Sequence, residues 1–188
     1  MSSKGLKRLS ATRFCGELLS EYCRELGRQP KDVFSDAIYD YMGLVIYVKS
    51  KDADPALKTA YYKQELDIKA LMGQYEIERS RFCRMERETR ILTDQEMFSY
   101  EETRYMRIDV SPEILDSVRK FVKSYPYLYG RKKKATMGNV VDRSILFRIM
   151  LNNAILDNKF YREIRIDRLI ELERIKKKDI TYVFKKIY

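Results

Sequence analysis

Tyr105-Met-Arg-Ile-Asp-Val-Ser-Pro-Glu-Ile-Leu-Asp-Ser-Val-Arg-Lys120 changes its hydrophobic period partway along. Up to Val110 the apolar residues alternate. Met106, Ile108 and Val110 fall on one side and Tyr105, Arg107 and Asp109 on the other, as a half-buried strand places them. From Ser111 the spacing turns to threes and fours, through Ile114, Leu115, Val118, Phe121 and Val122, which is the face of an amphipathic helix. The junction carries three start signals: Ser111 as cap, Pro112 at the first helical position, where a missing N–H costs nothing, and Glu113 in the acid-favouring first turn. Beyond a basic loop, Met137, Val140, Val141, Ile145, Ile149 and Met150 mark a second helix. The order is strand, helix, loop, helix.

The same order occurs nearer the N-terminus. Leu6 to Ala11 is short and alternating, with Leu9 and Ala11 on one side and Arg8 and Ser10 on the other. Thr12 is placed to cap a helix carrying Phe14, Leu18, Leu19, Tyr22, Cys23 and Leu26, and Gly27 is its natural stop. Pro30 opens a second helix, whose inner face is Val33, Phe34, Ala37, Ile38, Tyr41 and Met42.

Between the two repeats, Asp52-Ala-Asp-Pro55 starts a long charged helical stretch. In it Tyr61, Ile68, Tyr75 and Phe82 recur every seven residues, beside a stripe of Leu57, Leu71 and Met85 broken by Gln64 and Glu78. The heptads are few and Gly73 interrupts them, so a connector folded back on its own chain is favoured over a dimerisation coil. The expected organisation is a first unit over 1–50, a helical connector over 51–100, a second unit over 101–156, and a basic tail over 157–188. The fold class is mainly α, with two short strands.

The 188 residues are 45% hydrophobic and 35% charged, the balance of a folded chain and not of a disordered one. Lysine and arginine number 38 against 28 acids, a net charge of +10 spread along the chain, which favours polyanions and above all nucleic acid. There is no histidine, which removes the commonest general base, the usual nucleophile pairs and most zinc sites. The seven glycines form no phosphate-binding loop. The fifteen tyrosines are read as packing and stacking groups. No enzyme activity, catalytic residue, metal or cofactor is expected. No apolar run approaches membrane-spanning length, and the N-terminus lacks the apolar core of a secretion signal. Cys15, Cys23 and Cys83 form no CxxC pair, so reduced core thiols in a cytoplasmic protein are expected.

Arg107 to Lys120, and more weakly Glu25-Leu-Gly-Arg28 with Val33 to Tyr41, resemble the ribbon-helix-helix family of Arc-, MetJ- and CopG-like repressors. The two matches cover about half the chain. The resemblance implies strands paired antiparallel into a ribbon that enters the DNA major groove, outward side chains on base edges, and a backbone phosphate at the N-terminus of the second helix. Carried onto this chain, the base readers are Arg8, Ser10, Tyr105, Arg107 and Asp109. The phosphate contacts are Gln29 and Lys31, the basic run Arg131, Lys132, Lys133 and Lys134, and the helix start at Thr136, Gly138 and Asn139.

Two features depart from the family pattern. The loop from Lys123 to Ala135 is longer than usual, and Asp109 puts a negative charge on the reading face. The expected partner is double-stranded DNA and the expected use is repression or autoregulation. The alternative is a viral or plasmid assembly protein that coats nucleic acid without sequence choice. The units could pair within one chain as a pseudo-dimer or with a twin in a homodimer. The divergence of the two strands favours the homodimer, because unlike strands should match poorly.

Overall fold

A computed structural model of the chain describes residues 7–89, 105–127 and 134–151, with the backbone alone for 75–89. Its described elements are β1 (Lys7–Thr12), α1 (Arg13–Leu26), α2 (Pro30–Val48), α3 (Pro55–Thr89), β2 (Tyr105–Val110), α4 (Pro112–Ser124) and α5 (Met137–Met150). The protein is mainly helical, with one small two-stranded antiparallel sheet. None of the described helices is long and apolar enough to cross a membrane.

The element ends follow from local chemistry. Thr12 closes β1 and caps α1, its hydroxyl accepting from the Cys15 N–H at 3.4 Å. Gly27 stops α1 at φ 65°, a left-handed conformation that glycine adopts without a Cβ penalty. The Gly27 and Arg28 amides then donate back to the Arg24 and Cys23 carbonyls. Pro30 and Pro112 occupy the first helical positions of α2 and α4. The Ser111 hydroxyl accepts from the Ile114 N–H at 3.4 Å. Ser111 also hydrogen-bonds the exposed Glu113 carboxyl and holds it below its usual range.

β1 and β2 pair with each other within the chain, in the register Leu9 opposite Ile108. Of the two arrangements the sequence leaves open, this is the pairing within one chain, and the strands are unlike in complementary ways. Small Ala11 lies opposite large Met106, and cationic Arg8 opposite anionic Asp109. Gly16 of α1 makes room for Met106: a Cβ built there would stand 2.6 Å from the Met106 sulfur and 2.8 Å from its Cβ. When the two caps, Thr12 and Ser111, are matched, Leu9 corresponds to Ile108. These two residues are also cross-strand partners, so the ribbon has an approximate two-fold through that pair. The helices repeat this reciprocity, with α5 packing on β1 and α2 on β2.

The core lies beneath the ribbon and is built around α5. From Val140 to Ile149 every residue of that helix is buried, including Asp142, Arg143, Ser144 and Arg148. Helix α2 covers one side and α3 another, joined by Tyr41, Tyr61 and Phe147, whose rings lie 5.0 and 5.5 Å apart about Phe147. Full burial of each such ring contributes about 1.5–3 kcal/mol. Two internal ion pairs tie the arginines of α5 to its neighbours. Arg143 Nε donates to Glu65 Oε2 at 3.0 Å, and Arg148 Nη1 to Asp40 Oδ2 at 3.3 Å. The Tyr41 hydroxyl donates to the other Glu65 oxygen at 3.0 Å.

The early part of the connector folds back as expected, with Leu57, Tyr61 and Ile68 buried in the shared core. Gln64 and Glu65 are buried beside them, not solvated. The side chains of Tyr75, Glu78, Phe82, Cys83 and Met85, and all of the basic tail expected over 157–188, lie outside the described residues.

Candidate nucleic-acid interface

The pleat of the ribbon sorts its residues by face. Leu9, Ala11, Ile108 and Val110 are buried, and Met106 is half-buried. Arg8, Ser10, Tyr105, Arg107 and Asp109 are all exposed. The five side chains expected to read bases are therefore brought onto one surface. In register, Arg8 faces Asp109, Ser10 faces Arg107 and Thr12 faces Tyr105. A two-stranded ribbon is narrow enough to enter a major groove about 12 Å wide.

The charge on that surface is arranged, not merely positive. Arg8 Nε donates to Asp109 Oδ1 at 3.2 Å, with side-chain exposures of 63% and 49%. At that exposure the pair contributes only about 0–1 kcal/mol to stability. Its consequence is orientation: the aspartate that looked repulsive in the sequence is neutralised by the arginine across from it.

The starts of α5 and α2 differ as places for an anion. At α5 the predicted donors need correction. The Thr136 amide donates to Asn139 Oδ1 at 3.1 Å, and the Asn139 amide to Thr136 Oγ1 at 3.2 Å. This reciprocal capping box occupies both groups. Met137 and Gly138 lie in the first turn of α5, where helix geometry gives amides no intrahelical acceptor. Gly138 lies close to the ribbon, a Cβ built on it standing 3.8 Å from the Ser10 carbonyl oxygen. No acid occupies this first turn, and exposed Lys134 stands just ahead of it. At α2 the Gln29 side chain makes no capping bond, and the Gln29 backbone carbonyl accepts from the Asp32 and Val33 amides. The expected donors there are the Gln29 and Lys31 amides, which these bonds do not involve, but Asp32 places a carboxylate in the first turn. An anion is favoured more at α5 than at α2.

Three contacts set these parts in place. Asp142 of α5 accepts from the Thr12 amide at 2.8 Å and from its hydroxyl at 3.2 Å, which fixes the start of α5 against the end of β1. Burial pushes the Asp142 carboxyl up from its ordinary value, and burial likewise raises the neighbouring Cys15 thiol. The Ala135 amide donates to the Pro126 carbonyl at 2.7 Å and closes the neck of the long loop. The end of α4 and the start of α5 are thus drawn together despite the loop's length. Arg131, Lys132 and Lys133 lie outside the described residues.

Sequence reasoning missed Thr12 as the last outward position of β1, and Asp142 as its anchor. A signal for Asp142 was available: Met137–Met150 carries three charged residues on a helix with no polar stripe, and such a helix must bury some of them. The chain matches no family model, no curated protein and no solved structure.

Proposed function

We propose that this protein binds double-stranded DNA sequence-specifically, with β1 and β2 as a ribbon in the major groove, and acts as a transcriptional repressor or autoregulator. On this reading the two strand–helix–helix halves are a ribbon-helix-helix pair formed by one chain. The observation that carries it is the exposed row of Arg8, Ser10, Arg107 and Asp109 on an antiparallel ribbon whose other face is buried. Arginine forks onto guanine, and an aspartate accepts from an exposed base amino group. The amide-rich start of α5 beside Ser10 supplies a phosphate contact next to the reading row. The overall charge of +10 supplies the salt-dependent attraction to the backbone. No catalytic, metal or cofactor role is assigned to any residue.

Selection from random duplexes at about 150 mM salt, which suppresses purely electrostatic association, tests the proposal. Enrichment of one site, bound roughly 10³-fold or more above random DNA, is the expected result. Arg107→Ala should erase preference at one base pair. Uniform affinity for all duplexes would instead support a nucleic-acid coat protein, and no binding at all would end both readings.

A further inference from the structure

We infer that the ribbon reads a non-palindromic site, with one half read more stringently because Asp109 buttresses Arg8 whereas Ser10 faces Arg107. The inference rests on the DNA-binding reading above and goes beyond it by specifying the symmetry of the target.

The approximate two-fold of the ribbon runs through Leu9 and Ile108. Under it Arg8 corresponds to Arg107, and Ser10 to Asp109. Each half of the ribbon therefore presents an arginine at the same place, and each arginine faces the next outward residue of the opposite strand. For Arg8 that residue is Asp109; for Arg107 it is Ser10. The symmetric element is the arginine, and the asymmetric one is its cross-strand neighbour.

The difference has chemical consequences. The Arg8–Asp109 bond engages Nε at 3.2 Å and leaves both Nη groups to fork onto the O6 and N7 atoms of a guanine. A guanidinium held on one edge has fewer orientations to lose when it binds, so a wrong base is rejected more strongly. Asp109 adds exclusion of its own. As an acceptor without a proton it tolerates a cytosine or adenine amino group nearby and is repelled by carbonyl and ring acceptors. Ser10 both donates and accepts, so the base pair next to Arg107 meets no such filter. A homodimeric ribbon must carry the same neighbour on both sides. This one, made from two unlike strands of a single chain, does not.

Random-duplex selection on three proteins tests this: the natural chain, Asp109→Ser, which gives Arg8 the neighbour that Arg107 has, and Ser10→Asp, which does the reverse. Both substituted positions are exposed, where such changes disturb folding little, and thermal unfolding followed by circular dichroism checks that each variant folds. The natural chain should enrich a site with a guanine on each strand, flanked by strong preference in one half and weak preference in the other. Asp109→Ser should relax the strong half by roughly tenfold and leave the weak half unchanged. Ser10→Asp should sharpen the weak half alone.

A palindrome equally constrained in both halves, or variants that alter both halves alike, would overturn the inference and leave DNA reading intact. Failure of the natural chain to enrich any site would instead remove the DNA reading and this inference with it.

Discussion

Breaking the Glu65–Arg143 pair should cost far more than losing an exposed salt bridge, and removing both charges should recover most of the loss. The two groups are 7% and 5% exposed and meet at 3.0 Å, and Glu65 also accepts from the Tyr41 hydroxyl. Arg143→Met removes the guanidinium facing the buried Glu65 carboxylate. Glu65→Leu removes the carboxylate facing Arg143 and the acceptor of the Tyr41 hydroxyl. A buried pair broken on one side loses about 3–5 kcal/mol, whereas its replacement by apolar groups of similar volume is close to neutral.

With a urea m-value of about 2 kcal/mol/M, a loss of about 4 kcal/mol lowers the unfolding midpoint by about 2 M. The double variant should lie within about 1–2 kcal/mol of the natural protein, giving a coupling energy of at least 2 kcal/mol. Urea titrations followed by far-ultraviolet circular dichroism measure all four corners of the cycle. Single costs below about 1 kcal/mol, or costs that simply add, would refute the seating of α3 on α5 through this pair.

Three further outcomes follow from other contacts. Gly16→Ala gains up to about 1 kcal/mol of helix propensity but forces its methyl into Met106, so a net loss of about 1–2 kcal/mol is expected, and Met106→Ala in the same chain should relieve part of it. Asp142 has a raised folded pKa, so the folded state holds its proton more tightly, and its ionisation costs stability as pH rises from 3.8 through the raised value. Asp142→Asn keeps an acceptor for Thr12 and removes that ionisation. Its stability relative to the natural protein should improve across that window, and parallel thermal melts at several pH values would reveal an unchanged difference if this is wrong. Ser111→Ala should cost about 1 kcal/mol through loss of the α4 cap, read as a lowered melting temperature.

The elements were legible where the physics is local. Alternation from Tyr105 to Val110, the caps Thr12 and Ser111, the stop at Gly27 and the prolines at 30 and 112 each act over a few residues, and each marks an element boundary in the structure. The exposed row of the ribbon was legible for the same reason. Strand partnership was not. It depends on the fit of Ala11, Gly16 and Met106, which lie far apart in the sequence, and an apolar row alone does not say which other apolar row it will meet.

The charges of α5 were opaque in a related way. Arg143 and Arg148 find their partners in Glu65 and Asp40, on two other helices far away in the sequence, and no local pattern pairs them. The amides of Thr136 and Asn139 read as open donors because a threonine followed three residues later by asparagine was not recognised as a closed box.

Both edges of the ribbon belong to one polypeptide, and this changes how its formation responds to dilution. A ribbon built from two copies falls apart as molecules become scarce, because its amount then follows the square of their concentration and its intact fraction falls in proportion to that concentration. Here folding alone brings the edges together, so the step is first order, and a lone molecule in a large volume keeps its ribbon as well as one in a crowd.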